Sequence, residues 1–249
     1  QFDYELIWHL KTKMCMHYGY WDGGIRNLRD ALVNMNKRVA EFVAVKKGSH
    51  VLDAGCGVGG SSIFLAKTFG CRTVGITLSE KQVEFCRKNA LRHNVADQCR
   101  FDRQSYLETE FEDNSFDLVW AIESVCYAYD KTQFLREAYR ILKPGGKVVV
   151  ADFFCNGVKD GSREARLMKK WTDAWAIRSY AEASEFWKGL SAVGFTNVKS
   201  KDVTERVIKS ISRLYLAFFF GVPITYVSQA LGFRNPTQTA NVWSAYYQH

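Results

Sequence analysis

Much is missing from this chain of 249 residues, and each absence narrows the reading. No C-x-x-C pair and no Cys/His cluster occurs, so no metal site is expected. The seven cysteines are odd in number and lack framework spacing, which predicts reduced thiols and a cytoplasmic setting. No repeat, linker or low-complexity segment divides the chain, and 47% hydrophobic residues are enough for one large core. The longest apolar run, Leu214 to Val227, is interrupted by Gly221 and Pro223 and is too short to span a bilayer. A net charge of +8 suggests a negative partner such as RNA, anionic lipid or a phosphorylated substrate. The basic residues are spread out, however, with no dense run and no nucleic-acid module, so no nucleic-acid partner is expected. The chain begins at Gln1 without a methionine, so the lack of a visible signal peptide excludes nothing.

What is present centres on Val51-Leu-Asp-Ala-Gly-Cys-Gly-Val-Gly-Gly60. Val51 and Leu52 end an apolar run that reads as a buried strand, and Ser61 to Lys67 reads as a helix. Glycines between them let a ligand approach bare backbone at a helix N-terminus. Gly55, Gly57 and Gly60 also satisfy G-x-G-x-x-G, the dinucleotide fingerprint, so the loop alone leaves that reading open. Asp53 separates the two. A carboxylate there would repel a pyrophosphate but could help bind a cationic amino-acid group.

Residues 1–24 are rich in aromatics (Phe2, Tyr4, Trp8, His9, His17, Tyr18, Tyr20, Trp21). They read either as a packed loop or as a flap over a cofactor, where tyrosine faces would attract a cation and exclude water. Asp22 is placed to cap a helix carrying Ile25, Leu28, Leu32, Met35, Val39 and Phe42 at spacings of three and four. A second strand, Thr73 to Leu78, leads into a helix from Ser79, and a third strand precedes Phe101. Ser115 to Trp120 and Lys147 to Asp152 read as the fourth and fifth strands. Between them Asp130 caps a helix. Helices are expected over 162–180 and 184–193, then a strand over 197–203. The aromatic stretch 205–233 reads as a packed helical pair, or as a lid for a greasy substrate that rests on a membrane surface. Trp171, Trp175 and Trp187 would line the same side.

Asp53-x-Gly-x-Gly-x-Gly59 after a strand resembles motif I of the class I S-adenosylmethionine (SAM) methyltransferases. Ser115-Phe-Asp-Leu-Val119 and Arg140-x-Leu-Lys-Pro-Gly-Gly146 before a strand are similar to later blocks of that family, in the right order across residues 51–152. Gly75-Ile-Thr-Leu-Ser-Glu-Lys-Gln82 and the segment Ala121 to Asp130 resemble the sterol and tocopherol methyltransferases and the cyclopropane fatty-acid synthases. The resemblance implies a doubly wound, mostly parallel α/β sheet within a single domain. Residues 1–45 would form the flap and first helix, 46–155 the SAM core, and 156–249 a helical lid inserted after the fifth strand, with the usual last strand absent. It also implies SAM as cofactor and a small lipophilic acceptor of sterol, quinone, tocopherol or prenyl type; the peripheral membrane contact is expected from the apolar stretch 205–233.

Residue by residue, the resemblance gives Tyr18, Tyr20, Asp53, Gly55, Cys56, Gly57, Gly59, Thr77, Leu78, Gln82, Ser105, Tyr106 and Ala121 to the cofactor. Thr77 and Gln82 would serve the ribose, although Ser79-x-x-Gln82 is also a capping box. Ser105 stands where the family usually has its adenine-binding Asp. Glu123, at the carboxyl end of a strand, is the first candidate for base or cation stabiliser, with His17 second and Tyr127 third. Glu123 could equally tie down its own loop. The family's His four residues after that Glu is Tyr127 here, which puts any imidazole role in doubt. Two alternatives remain: methylation of a polar or alkaloid-like metabolite, and a non-catalytic SAM-binding subunit.

Overall fold

Five apolar segments lie side by side as parallel strands in a computed structural model that describes residues 14–233 and 243–247. They are β1 (His50–Ala54), β2 (Arg72–Thr77), β3 (Cys99–Arg103), β4 (Phe116–Ile122) and β5 (Leu142–Ala151). The order β3-β2-β1-β4-β5 reverses direction beside β1, which pairs Leu52 with Val74 on one side and with Val119 on the other. Ligand sites in such sheets open at that reversal, beyond the carboxyl ends of the strands. Val51, Leu52, Ala54, Ile76, Val119 and Trp120 are almost wholly buried, as a sheet covered on both faces requires. Each large side chain sealed in this way contributes roughly 1.5–3 kcal/mol.

The covering helices are α1 (Leu28–Val43), α2 (Gly60–Phe69), α3 (Glu80–Arg92) and α4 (Lys131–Ile141). Asp130 caps α4 as expected, accepting the N–H groups of Thr132 and Gln133. At α1 the cap differs from the expectation. Asn27, not Asp22, accepts the N–H of Asp30, while Asp22 is drawn away by Arg38 at 3.1 Å. Phe42 is exposed, and Val43 takes its place against the core.

Beyond β5 come a short parallel pair, β6 (Phe154–Cys155) with β7 (Ala181–Glu182), and the helices α5 (Arg163–Ala174) and α6 (Ala183–Val193). α5 stops six residues short of the expected Tyr180, because Ala176 turns left-handed and folds Ile177 and Tyr180 inward. The expected strand over 197–203 does not form. Val198 is exposed, Asn197 is left-handed and no neighbouring strand pairs with the segment. The Asp202 carboxylate instead accepts the N–H of Thr204 at the head of α7 (Thr204–Ala230). This helix is bent by 49° between Phe219 and Gly221, so that Thr204–Phe219 and Gly221–Ala230 form two arms, and it holds Pro223. A single turn, α8 (Ser244–Tyr247), packs on α7 and α5. The aromatics Phe2, Tyr4, Trp8 and His9 lie outside the described residues.

Candidate active site

The glycine loop joins β1 to α2 at the reversal of strand order. Gly55 (φ +93°) and Gly57 (φ +54°) need the left-handed region, and neither has room for a side chain. A Cβ on Gly55 would lie 2.5 Å from Cβ of Ser124, and one on Gly57 would lie 3.0 Å from Sδ of Met16. Gly59 is also left-handed and lies against Phe101. The N–H groups of Gly55 and Cys56 both donate to the carbonyl of Ile76, so β2 braces the loop. Asp53 does not face outward. Its carboxylate is buried and accepts the Ser62 hydroxyl at 2.6 Å, and burial raises its pKa to about 6. Cys56 lies beneath the loop, 3.9 Å from the thiol of Cys86.

At the end of β2, the Thr77 hydroxyl donates to Oε1 of Gln82. Ser79 caps α3 through the backbone N–H of Gln82, and the N–H of Ser79 itself goes to Thr77. The two readings of Gln82 therefore separate: its backbone serves the cap, and its side chain is paired with Thr77. Leu78 beside them is 71% exposed. Tyr106 walls Gly55 and donates to the carbonyl of Ser124 at 2.8 Å, while the Ser105 hydroxyl accepts the N–H of Leu107. Ala121 lies lower than its expected role needs. It is wholly buried in the sheet and paired with Val150, so it forms floor.

Glu123 follows β4 with a left-handed backbone (φ +47°), held by its N–H to the carbonyl of Ala151. Its carboxylate accepts the N–H of Tyr18 at 2.7 Å. Burial raises its pKa to about 8, with Asp152 adding to the rise and the Tyr18 N–H opposing it. Asp152 is itself raised by burial and receives the N–H groups of Cys126 and Phe153. His17 is buried, with Nδ1 2.9 Å from the carbonyl of Tyr18 and Nε2 3.0 Å from Nδ2 of Asn36. Only an Nδ1–H tautomer satisfies both contacts, since a carbonyl cannot donate. Burial lowers the pKa of His17 to about 4, so the ring is neutral near pH 7 and both nitrogens are engaged. Tyr127 sits half-exposed in a one-turn helix, Val125–Tyr127. Cys126 is packed in the core, where burial pushes its thiol pKa far up.

An aromatic wall rises next to Glu123. Tyr18 meets Phe153 edge-on at 5.3 Å, Phe153 meets Trp171 at 5.5 Å, and Trp171 meets Tyr180 at 4.9 Å. Trp175 and Ile177 pack into the same group, whereas Trp187 is exposed elsewhere on α6. Tyr20 also departs from its expected place, because Asn34 holds its carbonyl. Tyr20 borders a cavity of about 370 Å³ at the head of α7 with Lys201, Glu205 and Arg206, and no residue of the glycine loop lines it.

Several supporting residues escaped the sequence reading. Ser210 on α7 accepts the N–H of Gly19 at 3.0 Å and the indole N–H of Trp21 at 2.8 Å, which straps the flap down. Lys131 donates to the carbonyls of Cys126, Ala128 and Ser179, joining the Glu123 loop to the segment after α5. No periodic signal marks either residue. Asp152, a carboxylate ending an apolar strand, did carry one. Among the described residues no group of His, Cys, Asp and Glu could hold a metal.

A family model described as a methyltransferase domain matches residues 52–150, from the glycine loop through β5. The 27-O-demethylrifamycin SV methyltransferase of Amycolatopsis mediterranei (strain S699) is 36% identical over 194 residues, covering 76% of this chain and 70% of that protein. A probable chloroplastic tocopherol O-methyltransferase of Oryza sativa subsp. japonica is 32% identical over 216 residues. That match covers 81% of this chain but 59% of the Oryza protein, so the chain spans less than two thirds of its length. Among solved structures, the [4+2]-cyclase SpnF superposes with a TM-score of 0.79 at 23% identity, covering 95% of this chain and 82% of its own, which is a likeness of fold alone.

Proposed function

The chain belongs to the class I SAM-dependent methyltransferases, and within that enzyme family we propose that it methylates a hydroxyl on a small lipophilic acceptor. The residues at the strand ends fit the cofactor. Gly55 and Gly57 hold a tight left-handed turn of bare backbone with Ser124 and Met16 packed against it, and the Thr77–Gln82 pair offers hydroxyl and amide groups suited to a ribose. Leu78 and the Tyr106 wall offer apolar faces suited to a purine. When bound, SAM supplies a methyl group already activated by its sulfonium. The protein then has to align and dehydrate the reactants, an effect worth roughly 7–11 kcal/mol in well-oriented systems.

The observation that carries the acceptor reading is the buried Glu123 carboxyl beside the wall of Tyr18, Phe153, Trp171 and Tyr180. A pKa of about 8 suits a group that takes a proton from a phenol or alcohol near neutral pH. The aromatic wall suits a greasy ring or chain and excludes water from the transfer. His17 supports the flap as a neutral ring, and Asp152 holds the loop that carries Glu123. Two relatives above 30% identity that act on tocopherol-type and rifamycin-type molecules support the same class.

The test is incubation with radiolabelled SAM and a total lipid extract supplemented with prenylated phenols, followed by organic extraction. Label in an apolar O-methyl ether is the expected result. Label only in a polar product would overturn the acceptor class. SAM binding without transfer to any fraction would point to the binding-subunit alternative.

A further inference from the structure

Residues 214–233 contain no Asp, Glu, Lys or Arg, yet they are not sealed in the core. On the far half of α7 and just beyond it, Leu216, Phe219, Ile224, Val227, Leu231 and Phe233 are each more than half exposed. Apolar surface of this extent on a folded chain marks an interaction face. The opposite face is fixed: Phe218 is buried against Trp243 and Tyr246, and Thr225 is buried as well. α7 thus has one side committed to the domain and one side greasy and open. We infer that this open side docks on an anionic lipid surface.

Three observations select that occupant. First, no single helix among the described residues is long and apolar enough to cross a membrane, and the 49° bend divides α7 into Thr204–Phe219 and Gly221–Ala230. At 1.5 Å per residue each half alone is shorter than the ~30 Å hydrocarbon core. Only the bent pair together has the length and composition of a span, and the bend with one face fixed to the domain suits a helix lying along the surface. Second, the charged half of α7 carries Arg206, Lys209 and Arg213 against the single acid Glu205. Lys209 and Arg213 gather over the Trp21 ring at 4.5 and 5.8 Å, which is a cationic group beside an aromatic at the head of the greasy face. That is the pattern of an interfacial helix with basic anchors. Third, the chain carries a net +8, which disfavours a second copy and favours negative headgroups. This surface is distinct from the glycine loop, and the inference does not depend on the acceptor proposed above.

The experiment is co-sedimentation of the full chain with vesicles of phosphatidylcholine alone and of phosphatidylcholine mixed with phosphatidylserine. Binding to the mixed vesicles, weakening with salt, is expected. F219D/I224D should lower it by about tenfold or more, and K209E/R213E should lower it while abolishing the preference for phosphatidylserine. Calorimetric SAM affinity should be unchanged in F219D/I224D, and the far-UV circular dichroism of K209E/R213E should match wild type, showing that each still folds. No sedimentation of the wild-type chain, or equal sedimentation of F219D/I224D with SAM binding intact, would overturn the inference. So would a vesicle-free dimer by light scattering that F219D/I224D dissociates, because the face would then belong to a second copy.

Discussion

The Glu123 carboxylate accepts the backbone N–H of Tyr18 at 2.7 Å, across 105 residues of chain. One bond therefore ties the aromatic segment around Tyr18 to the end of β4. In the function proposed above, the same carboxyl takes the substrate proton, so that one residue ties a loop and acts as the base. Glu123→Gln keeps an acceptor for Tyr18 and removes the base. Methyl transfer should fall about 10²-fold or more while SAM affinity changes little. In the wild type, kcat/KM should rise with pH up to about 8, as Glu123 ionises, and this rise should be absent from the variant. Unchanged turnover in Glu123→Gln would remove Glu123 from the chemistry.

Stability should depend on pH through the same group. The folded chain keeps the Glu123 proton up to about 8, whereas an unfolded chain releases it near 4.5, so stability falls as pH rises between those values. His17 acts the other way, being lowered from 6.5 to about 4, and it costs stability only as pH falls below 6.5. Asp53, raised from 3.8 to about 6, has finished its contribution by then. Of the three, Glu123 alone acts from about pH 6.5 to 8. A thermal-melting series should show a decline there in the wild type and a flatter profile in Glu123→Gln.

Gly55→Ala would place a methyl group 2.5 Å from Cβ of Ser124 on a backbone at φ +93°. Strain of this kind costs on the order of 1–3 kcal/mol. Calorimetry should find SAM affinity reduced more than tenfold, with a lowered melting temperature. Wild-type affinity in this variant would show that the loop is no cradle.

Removing the Ser210 hydroxyl strands two buried donors, the N–H of Gly19 and the indole of Trp21. Ser210→Ala should cost roughly 1–3 kcal/mol in denaturant unfolding. It should also raise the KM for SAM more than it lowers kcat, because the flap loosens and the base stays in place.

Lys131 joins three carbonyls from two segments. Lys131→Met should raise the KM for the acceptor and leave the calorimetric affinity for SAM near wild type. Lys131→Arg should recover part of the loss. Equal losses for both substrates would mean that the lysine supports the whole fold and not the acceptor wall.

The core of the fold was legible because each strand is a short apolar run and each helix around it carries a stripe. Val51-Leu52, Phe116 to Trp120 and Val148 to Val150 could be placed from pattern alone, and Asp130 announces its helix. Failures came where the competing partner lies far off in sequence. Asp22 has the chemistry of a cap, but Arg38 takes it, and Asn27 is left to start α1. Residues 197–203 alternate weakly and find no strand to pair with. The glycine turn and Glu123 were readable as positions, because a special backbone or a lone carboxylate at a strand end stands out. Asp53 was readable as a position but not as a direction, since only the fold shows Ser62 beneath it. Ser210 and Lys131 act through backbone atoms of other segments, and a sequence does not display those.

The strap between Ser210 and Gly19 spans 191 residues. During synthesis residues 17–21 therefore leave the ribosome well before the residue that fastens them. β1 to β5 can assemble in order, but the flap cannot close until α7 has left the exit tunnel and docked. The segment of residues 17–21 is thus expected to stay unfastened until α7 is made. Ligand present during translation would meet a site whose cover arrives only with α7.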